Sequence, residues 1–114
     1  MRTKMQLFGL KNCDTCRKAV KSLQSAGFAV ELVDLRVQPM DVKLRAAAYA
    51  EFGDALVNTR STTWRGLEEA ARARPALELL AEHDALMKRP LIVAEDGTMY
   101  LGWTKAVQAS LGVA

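Results

Sequence analysis

The chain of 114 residues is poor in the residues that form crosslinks and bind metals: it has two cysteines and one histidine. Two cysteines cannot build the disulfide framework of a small secreted domain, and with a single histidine they make a poor zinc site, because structural zinc takes four ligands. No apolar run approaches the roughly 20 residues of a membrane span, and no block of like charges indicates a nucleic-acid-binding tail. We therefore expect no bound metal, no membrane contact and no direct contact with nucleic acid.

What is present is the composition of an ordinary globular protein. Half of the residues are apolar and a quarter are charged, which is close to the average for soluble domains. The length suits one domain, so we expect a single domain over residues 1–114, and a monomer. The apolar stretch before Lys11 is too short for a secretory signal, which leads us to expect a cytoplasmic protein.

The apolar pattern of the first 36 residues predicts a βαβ unit. A strand is expected over Met5–Leu10 and a second one over Val30–Leu35. Between them, apolar residues recur every three or four positions from Cys13 to Ala26, which is typical of a helix, and Gly27 is expected at its C′ position.

The rest of the chain predicts a helical block and then a β-hairpin. Helices are expected from Pro39 and Asp41 to Phe52, where Gly53 stops the first, then from Trp64 to Arg72, then after Pro75. The expected core positions of the third are Leu77, Leu80, Ala81 and Met87. Strands Leu91–Ala94 and Met99–Leu101 follow, then a helix from Thr104 to Leu111 with Ala106, Val107 and Leu111 on its apolar side.

The cysteines form one motif, Cys13-Asp14-Thr15-Cys16, directly after the first strand. A CxxC at this place in a βαβ unit is the redox signature of thioredoxin-like proteins, so we expect an α/β fold with a thioredoxin-like mixed sheet. A helix N-terminus lowers the pKa of a thiol, and Lys11 adds positive charge. We expect Cys13 to be the nucleophile and Cys16, one turn further on, the buried resolving thiol. The alternative is two small apolar residues of the core.

Four blocks of sequence, in this order, resemble the arsenate reductase/Spx-type (ArsC-like) family, nearest to its arsenate reductase-like thiol reductases that are linked to glutathione. The blocks are Leu7–Ala19, Asn58–Arg65, Lys88–Leu91 and Leu101–Trp103. The resemblance covers essentially the whole chain. It implies a thioredoxin-like sheet with an all-helical insert at about residues 39–87.

The resemblance also implies roles for individual residues. Cys13 holds the place of the family's nucleophile, while Arg60 and Arg89 match two of the three arginines that surround the oxyanion in arsenate reductases. The third would lie near Gly102-Trp103, where this chain has no arginine, so arsenate is not the expected substrate. Pro90 holds the place of a cis-proline that faces the nucleophile.

The expected binding site for the substrate or an anion consists of Arg60, Arg89, Pro90, Asn12 and Lys11. We expect Arg60 and Arg89 to converge on Cys13, with the third strand parallel to the first. The alternative for Arg60 is a solvated surface arginine.

Three functions compete at this stage. The first is a cytoplasmic thiol–disulfide oxidoreductase without a bound cofactor, which takes glutathione as co-substrate and has glutathione or a glutaredoxin as its partner. The second is an Spx-type redox-sensing regulator that binds a protein such as RNA polymerase, since those regulators also carry a CxxC. The third is a genuine glutaredoxin-linked arsenate reductase.

Overall fold

The computed structural model describes residues 3–113, which divide into two compact units. Within the described residues, the first unit consists of 3–38 and 89–113, and the second is Pro39–Lys88. The second unit covers the stretch expected as a helical insert. The expected single-domain organisation stays a prediction.

The first unit is built on a four-stranded sheet with the strand order β2-β1-β3-β4. The strands are β1 (Lys4–Gly9), β2 (Ala29–Asp34), β3 (Leu91–Ala94) and β4 (Met99–Leu101). The first two are parallel, with Gly9 opposite Asp34, and β3 is antiparallel to both of its neighbours. The mixed sheet confirms the predicted α/β fold class.

The expected parallel pairing of the first and third strands is wrong. Phe8 lies opposite Leu91 in an antiparallel register, so the end of β1 lies beside the start of β3. Parallel strands would have placed the two starts together instead. The apolar pattern marks a strand without giving its direction, which is why the sequence did not settle this point.

Two helices of the first unit, α1 (Asp14–Ser25) and α6 (Lys105–Leu111), contribute to one hydrophobic core with the sheet. From α1 this core receives Cys16, Ala19 and Leu23, each without exposed surface. Gly27 follows α1 with φ 98°, as expected of a C′ glycine. Leu111 is buried as predicted. Ala106 is exposed, so the prediction that it lies on the apolar side of the helix is wrong.

The helices of the second unit are α2 (Val42–Phe52), α3 (Thr62–Arg65), α4 (Glu69–Arg72) and α5 (Ala76–Glu82), with 3₁₀ turns at Gly53–Leu56 and Asp84–Leu86. The carboxylate of Asp41 accepts the N–H groups of Lys43 and Leu44, and so caps α2. Gly53 ends this helix as predicted, with φ 59°.

Two predictions for this unit are wrong in detail. The expected single helix from Trp64 to Arg72 is two short helices, because Gly66 ends α3 and the Arg72 guanidinium donates to the carbonyls of Trp64 and Arg65. Of the expected core positions around α5, Leu80 and Met87 are buried as predicted, although the helix ends before Met87. Leu77 and Ala81 are exposed, so their prediction is wrong, and Leu79 is buried instead.

No helix among residues 3–113 is long and apolar enough to cross a membrane.

Candidate active site

One edge of the sheet in the first unit gathers four segments of the chain. The parallel pair β1 and β2 ends at this edge, the antiparallel β3 begins there, and β4 ends there. Hydrogen bonds connect the segments. The N–H of Leu35 donates to the carbonyl of Gly9 at 2.9 Å, and the N–H of Gly102 donates to the carbonyl of Pro90 at 2.8 Å. The two expected reactive cysteines come shortly after the end of β1 at this edge.

Cys13 lies at the N-terminus of α1, where it is the N-cap residue with φ −88° and ψ 119°. A turn brings it there, since its N–H donates to the carbonyl of Leu10 at 3.1 Å. Its own carbonyl accepts the N–H of Arg17 at 3.0 Å and starts the helix. The Cys13 side chain is half-buried, so an incoming disulfide can reach the sulfur.

The surroundings of Cys13 favour its thiolate. Burial raises the pKa of the Cys13 thiol, but the N–H and the thiol of Cys16, the charge of Arg89 and the N–H of Thr15 lower that pKa below its ordinary value. The side chain forms no capping hydrogen bond of ordinary geometry, as expected of a thiol, which is a weak acceptor. A thiolate accepts more strongly, so the free N–H groups of the helix act on the charged form.

Cys16 is held in the opposite state. Burial raises the pKa of its thiol to about 11, an effect that the N–H of Leu10 reduces and that the neighbouring Cys13 increases. The side chain has no exposed surface and both cysteines are free thiols. One thiol of the pair is therefore reachable and easily ionised, while the other is buried and protonated.

The loop that carries Cys13 is supported from the end of β2. The Asp34 carboxylate accepts the N–H of Lys11 at 3.4 Å and that of Arg36 at 2.9 Å. These two N–H groups and the charges of Arg36 and Lys11 lower the pKa of Asp34. In addition, Arg36 donates from its guanidinium to Oδ1 of Asn12. Asp34 and Arg36 were not predicted as site residues; the sequence signal for them was their place at the end of β2 and just after it, since parallel strands end at one edge.

Lys11 and Asn12, which we expected to bind an anion, are both exposed in this loop. Asn12 uses its carbonyl oxygen for Arg36, so only its NH₂ group is left to meet a ligand. Binding of an anion by either residue stays a prediction.

Arg89 and Pro90 stand at the start of β3, on the same edge as Cys13. The peptide bond between them is cis, as the resemblance implies. Pro90 is buried and Arg89 is half-buried, and the guanidinium of Arg89 lies near enough to lower the pKa of Cys13. The structure therefore brings Arg89 and Pro90 together with the cysteine pair.

Arg60 belongs to the second unit. It is exposed and follows Asn58, whose side-chain oxygen accepts the Arg60 N–H at 3.1 Å. Its side chain helps to line a polar cavity of about 430 Å³ in that unit, together with Asp54, Asn58, Thr59 and Lys88. The convergence of Arg60 on Cys13 stays a prediction.

No group of three or more histidine, cysteine, aspartate or glutamate side chains that could hold a metal ion occurs in the described part of the chain. The site offers two thiols, one arginine and the N–H groups at the start of a helix. This set of groups suits thiol chemistry with an anionic partner.

The model of the ArsC family matches residues 8–109, which is nearly the whole chain. This protein belongs to the ArsC family. An uncharacterized protein of Haemophilus influenzae is similar to this ArsC-family chain, with 41% identity over 104 residues that cover 87% of this chain and 90% of that protein.

Solved structures give the same result for the fold. A protein named YFFB is 29% identical with a TM-score of 0.84, over 96% of this chain and 99% of the other. An arsenate reductase (ArsC) related protein from Brucella melitensis is 28% identical with a TM-score of 0.72, over 94% of this chain and 92% of the other. The ArsC fold confirms the thioredoxin-like architecture, and the family assignment supports a thiol oxidoreductase type of enzyme.

Proposed function

We propose that this ArsC-family protein is a glutathione-linked thiol–disulfide oxidoreductase in which Cys13 is the nucleophile and Cys16 the resolving thiol. One observation carries the proposal: two free thiols one helical turn apart have pKa values moved in opposite directions, beside Arg89 and Pro90. A structural pair of core cysteines would have no need of a reachable thiol with a lowered pKa.

The substrate class that fits is a mixed disulfide between glutathione and a thiol compound. In the first step the Cys13 thiolate attacks the glutathione sulfur, a Cys13–glutathione disulfide forms, and the other thiol leaves as a thiolate that takes up a proton. In the second step the Cys16 sulfur attacks Cys13, and glutathione leaves with the Cys16 proton. Two further glutathione thiols then reduce the Cys13–Cys16 disulfide and become oxidised glutathione.

The basic groups of the site suit glutathione, which carries two carboxylates. Arg89 can hold one of them in a bidentate contact, while Lys11 and the NH₂ group of Asn12 are exposed next to Cys13 and are free to contact another. Arg60 remains part of the proposed binding site. A cytoplasmic location suits this chemistry, because the thiols of that compartment are kept reduced.

The experiment is a mass measurement after incubation with oxidised glutathione, on the native protein, Cys16→Ser and Cys13→Ser. We expect an intramolecular disulfide in the native protein, one stable glutathione adduct on Cys16→Ser, and no adduct on Cys13→Ser at neutral pH. A Cys16→Ser protein that never gains glutathione would contradict the proposal.

The same cysteine pair would also serve an Spx-type regulator, since a CxxC can act as a switch. Capture of RNA polymerase by the reduced or the oxidised protein, together with no turnover of glutathione mixed disulfides, would favour the regulator. Turnover without such capture would favour the enzyme.

A further inference from the structure

The sulfur of Cys16 rests against the backbone of β1 at Gly9. A Cβ atom added at Gly9 would overlap with Sγ of Cys16 and would lie 3.4 Å from its Cβ. Gly9 is not among the glycines with positive φ, so its backbone conformation suits any L-residue. The close approach of the Cys16 sulfur, and not the backbone, is therefore what requires a glycine at this position.

The residue after the end of β1 acts on the ionisation of the same sulfur. Burial raises the pKa of the Cys16 thiol, and the N–H of Leu10 reduces this effect. The space without a side chain at Gly9 is the geometric feature that receives the sulfur.

We propose that the space left by Gly9 is a seat that fixes the sulfur of Cys16 beside Cys13, and that Gly9 is a positioning residue for the thiol pair. This rests on the proposed function for its chemical meaning, but the contact itself can be tested without any turnover. In the seat, the Cys16 thiol lowers the pKa of Cys13 and so favours its thiolate. A resolving thiol fixed within reach of Cys13 also shortens the life of a mixed disulfide.

The first test is a double-mutant cycle on the unfolding equilibrium. Gly9→Ala alone should weaken the folding equilibrium by about tenfold to a hundredfold, as overpacked cores do. Gly9→Ala with Cys16→Ala removes the overlapping sulfur, so its folding equilibrium should lie within about threefold of that of Cys16→Ala alone. Gly66→Ala is the matched control, because an added Cβ there meets its nearest atom, the carbonyl oxygen of Thr62, at 3.4 Å.

The second test measures the thiols themselves. In Gly9→Ala the Cys13 pKa should rise, and in Gly9→Ala with Cys13→Ser the alkylation rate of Cys16 should increase by about tenfold, as expected for a displaced side chain. Leu111→Ala, which opens the same core elsewhere, should leave the Cys13 pKa unchanged.

Two results would contradict the proposed seat. One is a folded Gly9→Ala protein with an unchanged Cys13 pKa, and the other is an unfolding penalty that persists in full when Cys16 is alanine. If Gly9→Ala does not fold at all, recovery of folding in the double variant supports the seat and continued failure refutes it. A protein that passes these tests but shows no glutathione chemistry would refute the proposed function and leave the seat in place.

Discussion

Arg36 donates a hydrogen bond from its guanidinium to Oδ1 of Asn12, the residue that precedes Cys13. The contact joins the end of β2 to the cysteine loop across 24 residues of sequence. With Asp34, which accepts the N–H of Lys11, it fixes the loop at two consecutive residues, Lys11 and Asn12. The position of the reactive sulfur therefore depends on the parallel neighbour of β1 as well as on β1 itself.

The two thiols should titrate far apart. In the native protein, alkylation followed over pH with peptide mapping should show Cys13 reacting first, with a pKa below the ordinary thiol value. Cys16 should react only near its pKa of about 11, because it is buried and faces the Cys13 thiolate. If Cys16 is the faster thiol at neutral pH, the roles of the two cysteines are reversed.

Arg89→Ala should raise the Cys13 pKa and weaken the binding of glutathione. A charge-assisted hydrogen bond contributes roughly 1.5–3 kcal/mol, so binding should fall by about tenfold to a hundredfold. Arg89→Lys keeps the charge but loses the bidentate geometry. Its affinity for glutathione should therefore lie between those of the native protein and Arg89→Ala. Arg17→Ala is the control, because Arg17 is exposed and paired with Asp14; an equal effect of both substitutions would contradict a specific role for Arg89.

Arg60→Ala tests the one residue of the proposed binding site that lies in the second unit. If Arg60 converges on Cys13, this substitution should also weaken glutathione binding by about tenfold, the size of one charge-assisted contact. The measurement is isothermal titration of the Cys13→Ser protein with glutathione, with and without the substitution. Equal affinities would reduce Arg60 to a surface residue and leave Arg89 as the only arginine of the proposed site.

Asp34→Asn should lower the free energy of unfolding at neutral pH. In acid the substitution should have no such effect. The pKa of Asp34 is lower in the folded chain, so its carboxylate stabilises the fold above the unfolded pKa of about 3.9. That contribution is lost as the pH falls through the folded pKa. Asparagine keeps only one of the two oxygen acceptors used by Lys11 and Arg36.

Urea unfolding over pH checks this, with Glu51→Gln as the control for the loss of a negative charge at an exposed position of α2. A stability difference between Asp34→Asn and the native protein that is equally large in acid would argue against the carboxylate as its source.

Arsenate reduction should be weak or absent, even when glutathione and glutaredoxin are supplied. The family resemblance implies that Arg60 and Arg89 match two of the three arginines of the oxyanion site of arsenate reductases, and the chain has no arginine near Gly102-Trp103. The check is a coupled assay of arsenate turnover beside a dedicated arsenate reductase. Comparable rates would show that Arg60 and Arg89 suffice for the oxyanion, and glutathione mixed disulfides would lose their place as the preferred substrate class.

The sequence was sufficient for those parts of the fold that depend on local pattern. The βαβ unit, the hairpin and the capping glycines at 27 and 53 follow from periodicity and backbone preference, and all are present. The break between α3 and α4 was not predicted, because it depends on Gly66 and on the guanidinium of Arg72, which reaches carbonyls seven and eight residues earlier. Helix propensity describes each residue by itself and does not include a contact of this kind.

The site was predictable to the extent that a motif carried it. Cys13 and Cys16 could be named from the CxxC motif, and the cis bond before Pro90 from the resemblance to the ArsC-like family. Gly9 and Asp34 were not named, since each acts through a residue outside its own strand: Gly9 through the sulfur of Cys16, Asp34 through the N–H of Lys11. The contact of Gly9 depends on how α1 packs on β1, and that of Asp34 depends on the parallel pairing of β1 with β2.

The pairing of Phe8 with Leu91 also has a consequence for how the chain is made. β3 is an interior strand of the sheet, yet it is synthesised only after β1, β2 and the whole second unit, and closing so long a loop costs entropy. Ile92 of β3 belongs to the same core as Cys16. The nascent chain therefore carries the Cys16 thiol without this part of its cover until β3 has been made, and a reducing environment keeps the pair in its dithiol form during that time.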